Sequence, residues 1–294
     1  MISYHIPVLL RESIESLAIK PGGTYLDATF GGGGHSRAIL EKLGPEGRLL
    51  AFDQDPDSRN NVPDDKRITW IHSNFRFIYN ICKYNGITGT DGILADLGVS
   101  WHQFDTGERG FSFRFDAPLD MRMNRASDKT AARVVNEYSR EDLTEILFRY
   151  AEIKNAGTLA SAIVKARAQS PINTTEDLHQ ALDGLIPRVA RYKYLARIYQ
   201  ALRMEVNDEM RALEGLLNQS TSLLRPEGRL VVITYHSLED RMVKHFIRDN
   251  ERNGLLRPVN RKPIIPQAGE IKENTRARSA KLRAAEKKED SNHA

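Results

Sequence analysis

Short apolar runs alternate with helix-period stretches through the first hundred residues. Residues 24–29 (TYLDAT), 47–53 (GRLLAFD), 67–73 (RITWIHS) and 92–98 (GILADLG) have the length and the β-branched and aromatic content of strands. Residues 35–44 (HSRAILEKLG) carry a 3.6-residue period that stops at Gly44 and Pro45, and so predict a helix. Strand and helix in alternation predict a parallel sheet covered on both faces. From about residue 127 to 222 the strand-like runs vanish and amphipathic stretches take over. Two of these open on capping pairs, Ser139 with Asp142 and Thr174 with Asp177. Residues 193–222 read as one long helix. Residues 223–237 (LLRPEGRLVVITYHS) then restore a turn and a strong strand, followed by a helix from Leu238 to about Arg252. The pattern predicts an α/β domain made of residues 1–126 and 201–294, interrupted by an all-helical insertion at 127–200.

A chain of 294 residues can bury a substantial core, and 40% hydrophobic with 28% charged residues is ordinary for a water-soluble fold. Arg11, Glu12 and Glu15 fall where a secretion signal would need an apolar stretch. No run approaches the ~20 apolar residues of a membrane span. Cys82 is the single cysteine, which excludes an internal disulfide framework and suits a reducing cytoplasm. Cytoplasmic localisation without membrane association is therefore expected. The net charge of +4 permits a polyanionic partner without requiring one.

The most informative stretch is LDATFGGGGHS, residues 26–36. Four consecutive glycines lose much backbone entropy on folding, which is expected where bare main chain must approach a ligand. In an open α/β sheet such a loop lies at the carboxyl ends of the strands, against a helix N-terminus. A dinucleotide fingerprint, G-x-G-x-x-G, fails here: the sixth position is Ser36 counted from Gly31 and Arg37 counted from Gly32. An S-adenosylmethionine site asks for an acid near the end of the first strand, here Asp27, a glycine loop, and a second acid at the end of the next strand for the ribose hydroxyls. Asp53 follows Gly33 by 20 residues and fits that place; Asp55 is its neighbouring competitor. The alternative is a tight turn beside two solvated acids. Asp96, in ADLGVSWHQF, ends the fourth strand. A carboxylate there could accept the hydrogens of an exocyclic amine and orient its lone pair for methylation; it could also simply cap the following loop.

Together with RGFSFRFDAPLDMRM (109–123), ARIYQALRMEVNDE (196–209), YHSLEDR (235–241) and NTRARSAKLR (274–283), these residues resemble the RsmH (MraW) family of bacterial 16S ribosomal RNA cytosine N4-methyltransferases, a likeness that runs through nearly the whole chain. It implies a class I (Rossmann-like) S-adenosylmethionine-dependent methyltransferase fold with an inserted all-helical domain. It also implies cofactor contacts at Gly33, Gly34, His35, Asp53, Phe75, Asp96 and Gln103, and as partner 16S ribosomal RNA or the small ribosomal subunit, with methylation near the decoding centre; a homodimer is left open. On the residues alone, Phe75 reads equally as core. The chain departs from the family's pattern at Trp101, His102 and Phe104, and at Ala117, where the pattern carries glycine. Alanine would be strained there only at positive φ.

His236 and Ser237 follow a strong strand, and the resemblance adds a catalytic, substrate-orienting role to the plain reading of a helix cap. Cys82 sits in a helical pattern with no adjacent base, which argues against the cysteine route to methylation at carbon 5. With no H-x-x-x-H pair and no cysteine cluster, no metal site is expected. Phe111, Phe113 and Phe115 fall on one side of an extended segment, where they could stack a base but more often pack. Basic residues gather at Arg188, Arg191, Lys193 and Arg197, interleaved with Tyr192 and Tyr194, and again around Arg276, Arg278, Lys281 and Arg283. Both clusters are candidate RNA contacts. Residues 286–294 read as a disordered tail. The competing functions are an RNA-binding ribosome-assembly factor with a catalytically silent methyltransferase fold, and a nicotinamide-dependent oxidoreductase.

Overall fold

The structure is a computed structural model that describes residues 7–100, 103–104 and 106–289. Trp101 and His102 lie outside the described residues, as does the end of the expected tail from 290 on. The chain divides into two compact units, Met1–Gly98 with Met210–Ala294, and Val99–Glu209.

The first unit is a seven-stranded sheet in the order β3-β2-β1-β4-β5-β7-β6. Strands β1 (Thr24–Asp27), β2 (Arg48–Asp53), β3 (Ile68–His72), β4 (Thr90–Asp96) and β5 (Leu224–Thr234) run parallel. Strand β7 (Lys281–Lys287) inserts antiparallel between β5 and β6 (Leu256–Pro258). Burial follows the two-residue strand period. Leu26, Leu50, Phe52, Ile93, Ala95, Leu230 and Val232 enter one core. Tyr25, Leu49, Leu94, Val231 and Ile233 enter a second. Apolar side chains on both faces are what a parallel sheet with helices on each side requires.

Strand β7 lies inside the segment whose charge suggested an RNA contact and a tail. Glu286 pairs with Arg229 at 2.5 Å and with Arg257. Residues 286 and 287 therefore belong to the sheet rather than to a disordered end. Arg283, in the middle of β7, is buried, and its Nε donates to Asp240 Oδ1 at 2.7 Å; Lys281 Nζ lies 3.2 Å from Asp240 Oδ2. Burial pushes the Asp240 carboxyl up, but the two cations outweigh it and hold it below its usual range. Removing Asp240 leaves the buried Arg283 without its acceptor, so Asp240→Ala is expected to lower stability by about 2 kcal/mol, read as a fall in the urea midpoint with activity per folded molecule retained.

The second unit is helical and begins at Val99 rather than near 127. Phe111, Leu119, Met121 and Met123 pack into the same core as Val134, Leu147, Leu159, Ile198 and Leu202, which draws the 99–126 segment into the helical unit. The cap at Ser139 accepts from Asp142 N at 3.0 Å, and Thr174 with Asp177 forms a reciprocal capping box. The stretch from 193 to 222 is two helices, Arg191–Asn207 and Glu209–Leu223, because Asp208 takes a left-handed conformation, φ 53°, that no α-helix continues through. Ala117 is buried and is not among the residues at positive φ, so alanine is accommodated without strain. The phenylalanine segment is not extended throughout. It turns at 113–114, so that Phe111 is buried, Phe113 packs edge-on against Tyr199 at 5.5 Å, and Phe115 is exposed.

Candidate functional site

The strand order reverses between β1 and β4, and at that switch point the carboxyl ends of the strands carry acids: Asp27 on β1, Asp53 on β2 and Asp96 on β4. Ligands of open α/β sheets gather at this place. The glycine loop follows Asp27 directly. Gly33, at φ +74°, is the residue before helix α1 (Gly34–Lys42), and a Cβ at Gly34 would meet Pro7 Cγ at 2.1 Å; side chains are excluded at both positions. Beside Gly32 there is open space. The loop is braced from behind by Asn61 Nδ2, which donates to Gly31 O at 3.1 Å, and by Arg37, which donates to Gly32 O at 2.8 Å.

Asp27 is fully buried and accepts from Ser36 Oγ at 2.7 Å and from Thr29 N at 3.1 Å; burial raises its pKa to about 6. It ties the first turn of α1 to the end of β1. Asp53 accepts from Gly31 N at 2.7 Å on one oxygen and from Asp55 N at 2.8 Å on the other. Burial raises it to about 6 against those two bonds. Each carboxylate oxygen keeps a second acceptor position for a ligand hydroxyl. Asp55, the competitor, is buried and caps the turn Pro56–Asn61 by accepting from Asp57 N at 3.1 Å, so it is committed to local structure. Phe75 follows β3 in the short turn Phe75–Phe77, half-buried against the core.

Asp96 is held more closely than its place in the sequence suggested. Its main-chain N donates to Thr29 Oγ1 at 2.6 Å, and its Oδ1 accepts from the hydroxyl of Tyr235 at 2.7 Å. Its Oδ2 lies 3.7 Å from Nδ1 of His35. Burial raises Asp96 to about 7, and nearby Asp27 and Glu239 push the same way against the Tyr235 bond. His35 is buried, and burial lowers it to about 4 against a hydrogen bond to the Val8 backbone, so it stays neutral at neutral pH. His236 caps the helix Ser237–Arg252, accepting from Glu239 N, while its Nε2 lies 3.1 Å from Glu239 Oε1. Glu239 in turn accepts from Tyr235 N at 2.9 Å. Tyr235 and Glu239 escaped notice in the sequence, although Glu239 stands at the third helical position, where a capping partner belongs.

Gln103 belongs to the helical unit, where its side chain accepts from Ser100 N at 3.1 Å. In that unit Arg188, Tyr192 and Lys193 are exposed, Arg197 is half-buried, and Arg191 pairs with Asp183 at 3.1 Å. In the sheet unit Arg278 is exposed and Arg276 half-buried, whereas Arg283 is committed to Asp240 and Lys281 shares it. Arg283 is therefore a structural residue and leaves the set of candidate RNA contacts. Among the described residues no helix is long and apolar enough to cross a membrane.

A parallel sheet with this strand order, an antiparallel β7, a glycine turn after β1 and acids ending β1, β2 and β4 define a class I S-adenosylmethionine-dependent methyltransferase. The bare main chain at Gly33 and Gly34, the open space at Gly32 and the acceptor at Asp53 fit the cofactor. The acids also suit its positive sulfonium, since a cation offsets like charges crowded into a desolvated site. The chain belongs to the MraW methylase family, whose family model matches residues 2–288. It is 52% identical over 297 residues to Ribosomal RNA small subunit methyltransferase H of Parabacteroides distasonis, covering 97% of both chains. It is 53% identical over 298 residues to the protein of the same name from Flavobacterium johnsoniae, covering 97% of this chain and 98% of that one. Among solved structures it is similar to an rRNA methylase from Streptococcus thermophilus (TM-score 0.44, 13% identity, 97% and 99% covered). It is also similar to NSun6 from Pyrococcus horikoshii (TM-score 0.48, 13% identity, 97% and 53% covered).

Proposed function

We propose that this chain methylates the N4 amino group of a cytidine in 16S ribosomal RNA, in the cytoplasm and near the decoding centre, with Asp96 as the acceptor of the amine hydrogens. The observation that carries the reading is the Asp96 carboxylate at the sheet's switch point, one oxygen tied to Tyr235 and the other toward His35. The names of the half-identical relatives support small-subunit RNA as the substrate class.

When bound, S-adenosylmethionine supplies an electrophilic methyl group on a sulfonium. The chain's own residues do the rest. Gly33, Gly34 and His35 would hold the cofactor, Asp53 would accept from its ribose hydroxyls, and Phe75 and Gln103 are the further candidate contacts. The lone pair of a cytosine amine is delocalised into the ring. A carboxylate that accepts its N–H bonds turns the nitrogen toward the reacting carbon and eases the proton's departure. His236 and Ser237 orient the base from the end of β5. Direct attack by the amine is supported by Cys82: the thiol is buried, pushed up to about 11 by desolvation, and so is no thiolate nucleophile for a carbon-5 route. Arg188, Arg191, Lys193 and Arg197, with Arg276, Arg278 and Lys281, contact RNA phosphates, and the target base leaves its stack to reach the acids.

The test is transfer of labelled methyl from S-adenosylmethionine to small ribosomal subunits from cells lacking this protein, followed by nucleoside analysis. Label in N4-methylcytidine is expected. Label at carbon 5 or on a ribose would sink the reading, and RNA binding with no transfer would favour the silent assembly factor.

A further inference from the structure

We propose that Tyr235 is the positioning residue of the transfer step: its hydroxyl fixes the Asp96 carboxylate in one orientation and in its ionised form, leaving Oδ2 as the oxygen that meets the substrate amine. The inference rests on the reading of Asp96 given above and adds the residue that makes that acid usable.

Several bonds converge on this pair. Asp96 is aligned with Ile233 in the β4–β5 pairing, two residues before Tyr235, so the ends of the two strands set the acid and the tyrosine side by side. The backbone of Asp96 is pinned by the bond from its N to Thr29 Oγ1 at 2.6 Å. The backbone of Tyr235 is pinned by the bond from its N to Glu239 Oε2 at 2.9 Å. With both main chains held, the 2.7 Å bond from the Tyr235 hydroxyl to Oδ1 removes the carboxylate's remaining rotation. A tyrosine hydroxyl facing an ionised carboxylate can only donate, and a donor to the charged form favours that form.

The surroundings make such a donor necessary. The charged or titratable groups facing Asp96 are Asp27 from β1, Glu239 from the helix after β5, His35 from α1 and Tyr235 itself. Two are acids that oppose ionisation, and His35 is kept neutral by burial and brings no positive charge. Among the described residues, Tyr235 is the one hydrogen-bond donor to this carboxylate. Burial, with Asp96 second, pushes the Tyr235 hydroxyl well above 10, so it keeps its proton throughout the working range; Glu239 and Glu270 act in the same direction.

The experiment uses full-length wild type, Tyr235→Phe and Asp96→Asn, each labelled with ¹³C at aspartate carboxyls; the signal missing from Asp96→Asn identifies that residue. Tyr235→Phe is expected to move the Asp96 titration midpoint up by roughly one unit. The acid limb of the methyl-transfer profile should move with it, kcat at pH 7 should fall about five- to tenfold, and KM for small-subunit RNA should stay within about twofold. 3-Fluorotyrosine at position 235, a stronger donor of nearly the same shape, should move the midpoint down and covers the case in which Tyr235→Phe folds poorly. An unmoved midpoint and limb in both proteins, whatever happens to melting temperature, would reduce Tyr235 to a packing residue and overturn the proposal. Wild type that transfers no methyl would instead overthrow the underlying reading, and this proposal with it; the wild-type control tells the two failures apart.

Discussion

Asp96→Asn is expected to retain the fold, to keep cofactor binding within about tenfold, and to lower methyl transfer by about a thousandfold, the scale on which one preorganised polar group at a reacting centre acts. Asparagine keeps the shape and can still accept from Tyr235 through its carbonyl oxygen, so the loss reports the charge rather than a cavity. The same substitution has a second signature. In the folded chain burial raises Asp96 to about 7 from 3.8. A carboxyl raised in this way favours folding while it is protonated, and that contribution is lost as pH climbs toward and through about 7. The neutral amide escapes the loss. At pH 8, without cofactor, the variant should therefore be more stable than wild type by about 2–4 kcal/mol, and the difference should vanish toward pH 4. Thermal melts at the two pH values, beside a transfer assay, check both halves. A variant that transfers methyl normally would remove Asp96 from the mechanism.

Asp53→Ala should weaken S-adenosylmethionine binding by about a hundredfold, with kcat at saturating cofactor much less affected. Charge-assisted hydrogen bonds to the ribose would account for about 1.5–3 kcal/mol. The carboxylate also accepts from Gly31 N and Asp55 N, so its removal frees the first glycine of the loop from the end of β2. Cofactor affinity then falls for two reasons, a lost acceptor and a cradle no longer pre-formed. Asp55→Ala is the matched control: it removes the cap of the turn Pro56–Asn61 and is expected to cost about 1 kcal/mol of stability with little change in affinity. Calorimetry on both variants separates the two acids. Equal losses, or none at Asp53, would mean that the acceptor has been misassigned.

Much of the site's framework was legible because its signals are short-range. A glycine run after an apolar strand and an acid ending the next strand depend on turn chemistry and strand period, both written within a few residues. The caps at Ser139 and Thr174 and the strands β1 to β4 were readable for the same reason. Harder cases were those in which a local pattern met a distant partner. A basic run containing Arg283 looks like a nucleic-acid contact until Asp240, 43 residues away, is brought beneath it. The long helical period from 193 to 222 hides the left-handed Asp208, since one aspartate mid-helix costs little in propensity and gives no warning of a break.

The alternating α/β layers, the bare loop, the acids that terminate strands and the single cysteine were all readable along the chain. Each follows from dihedral limits, from period, or from the mere count of a residue type. What each acid touches was settled by the packing of distant segments. Folding set the tyrosine that follows β5 against the carboxylate ending β4 across 139 residues of chain, turned Asp55 inward as a cap, and gave Arg283 to the sheet. Those outcomes depend on strand order and register, which arise from the packing of both sheet faces at once and leave no mark in any short window of the chain.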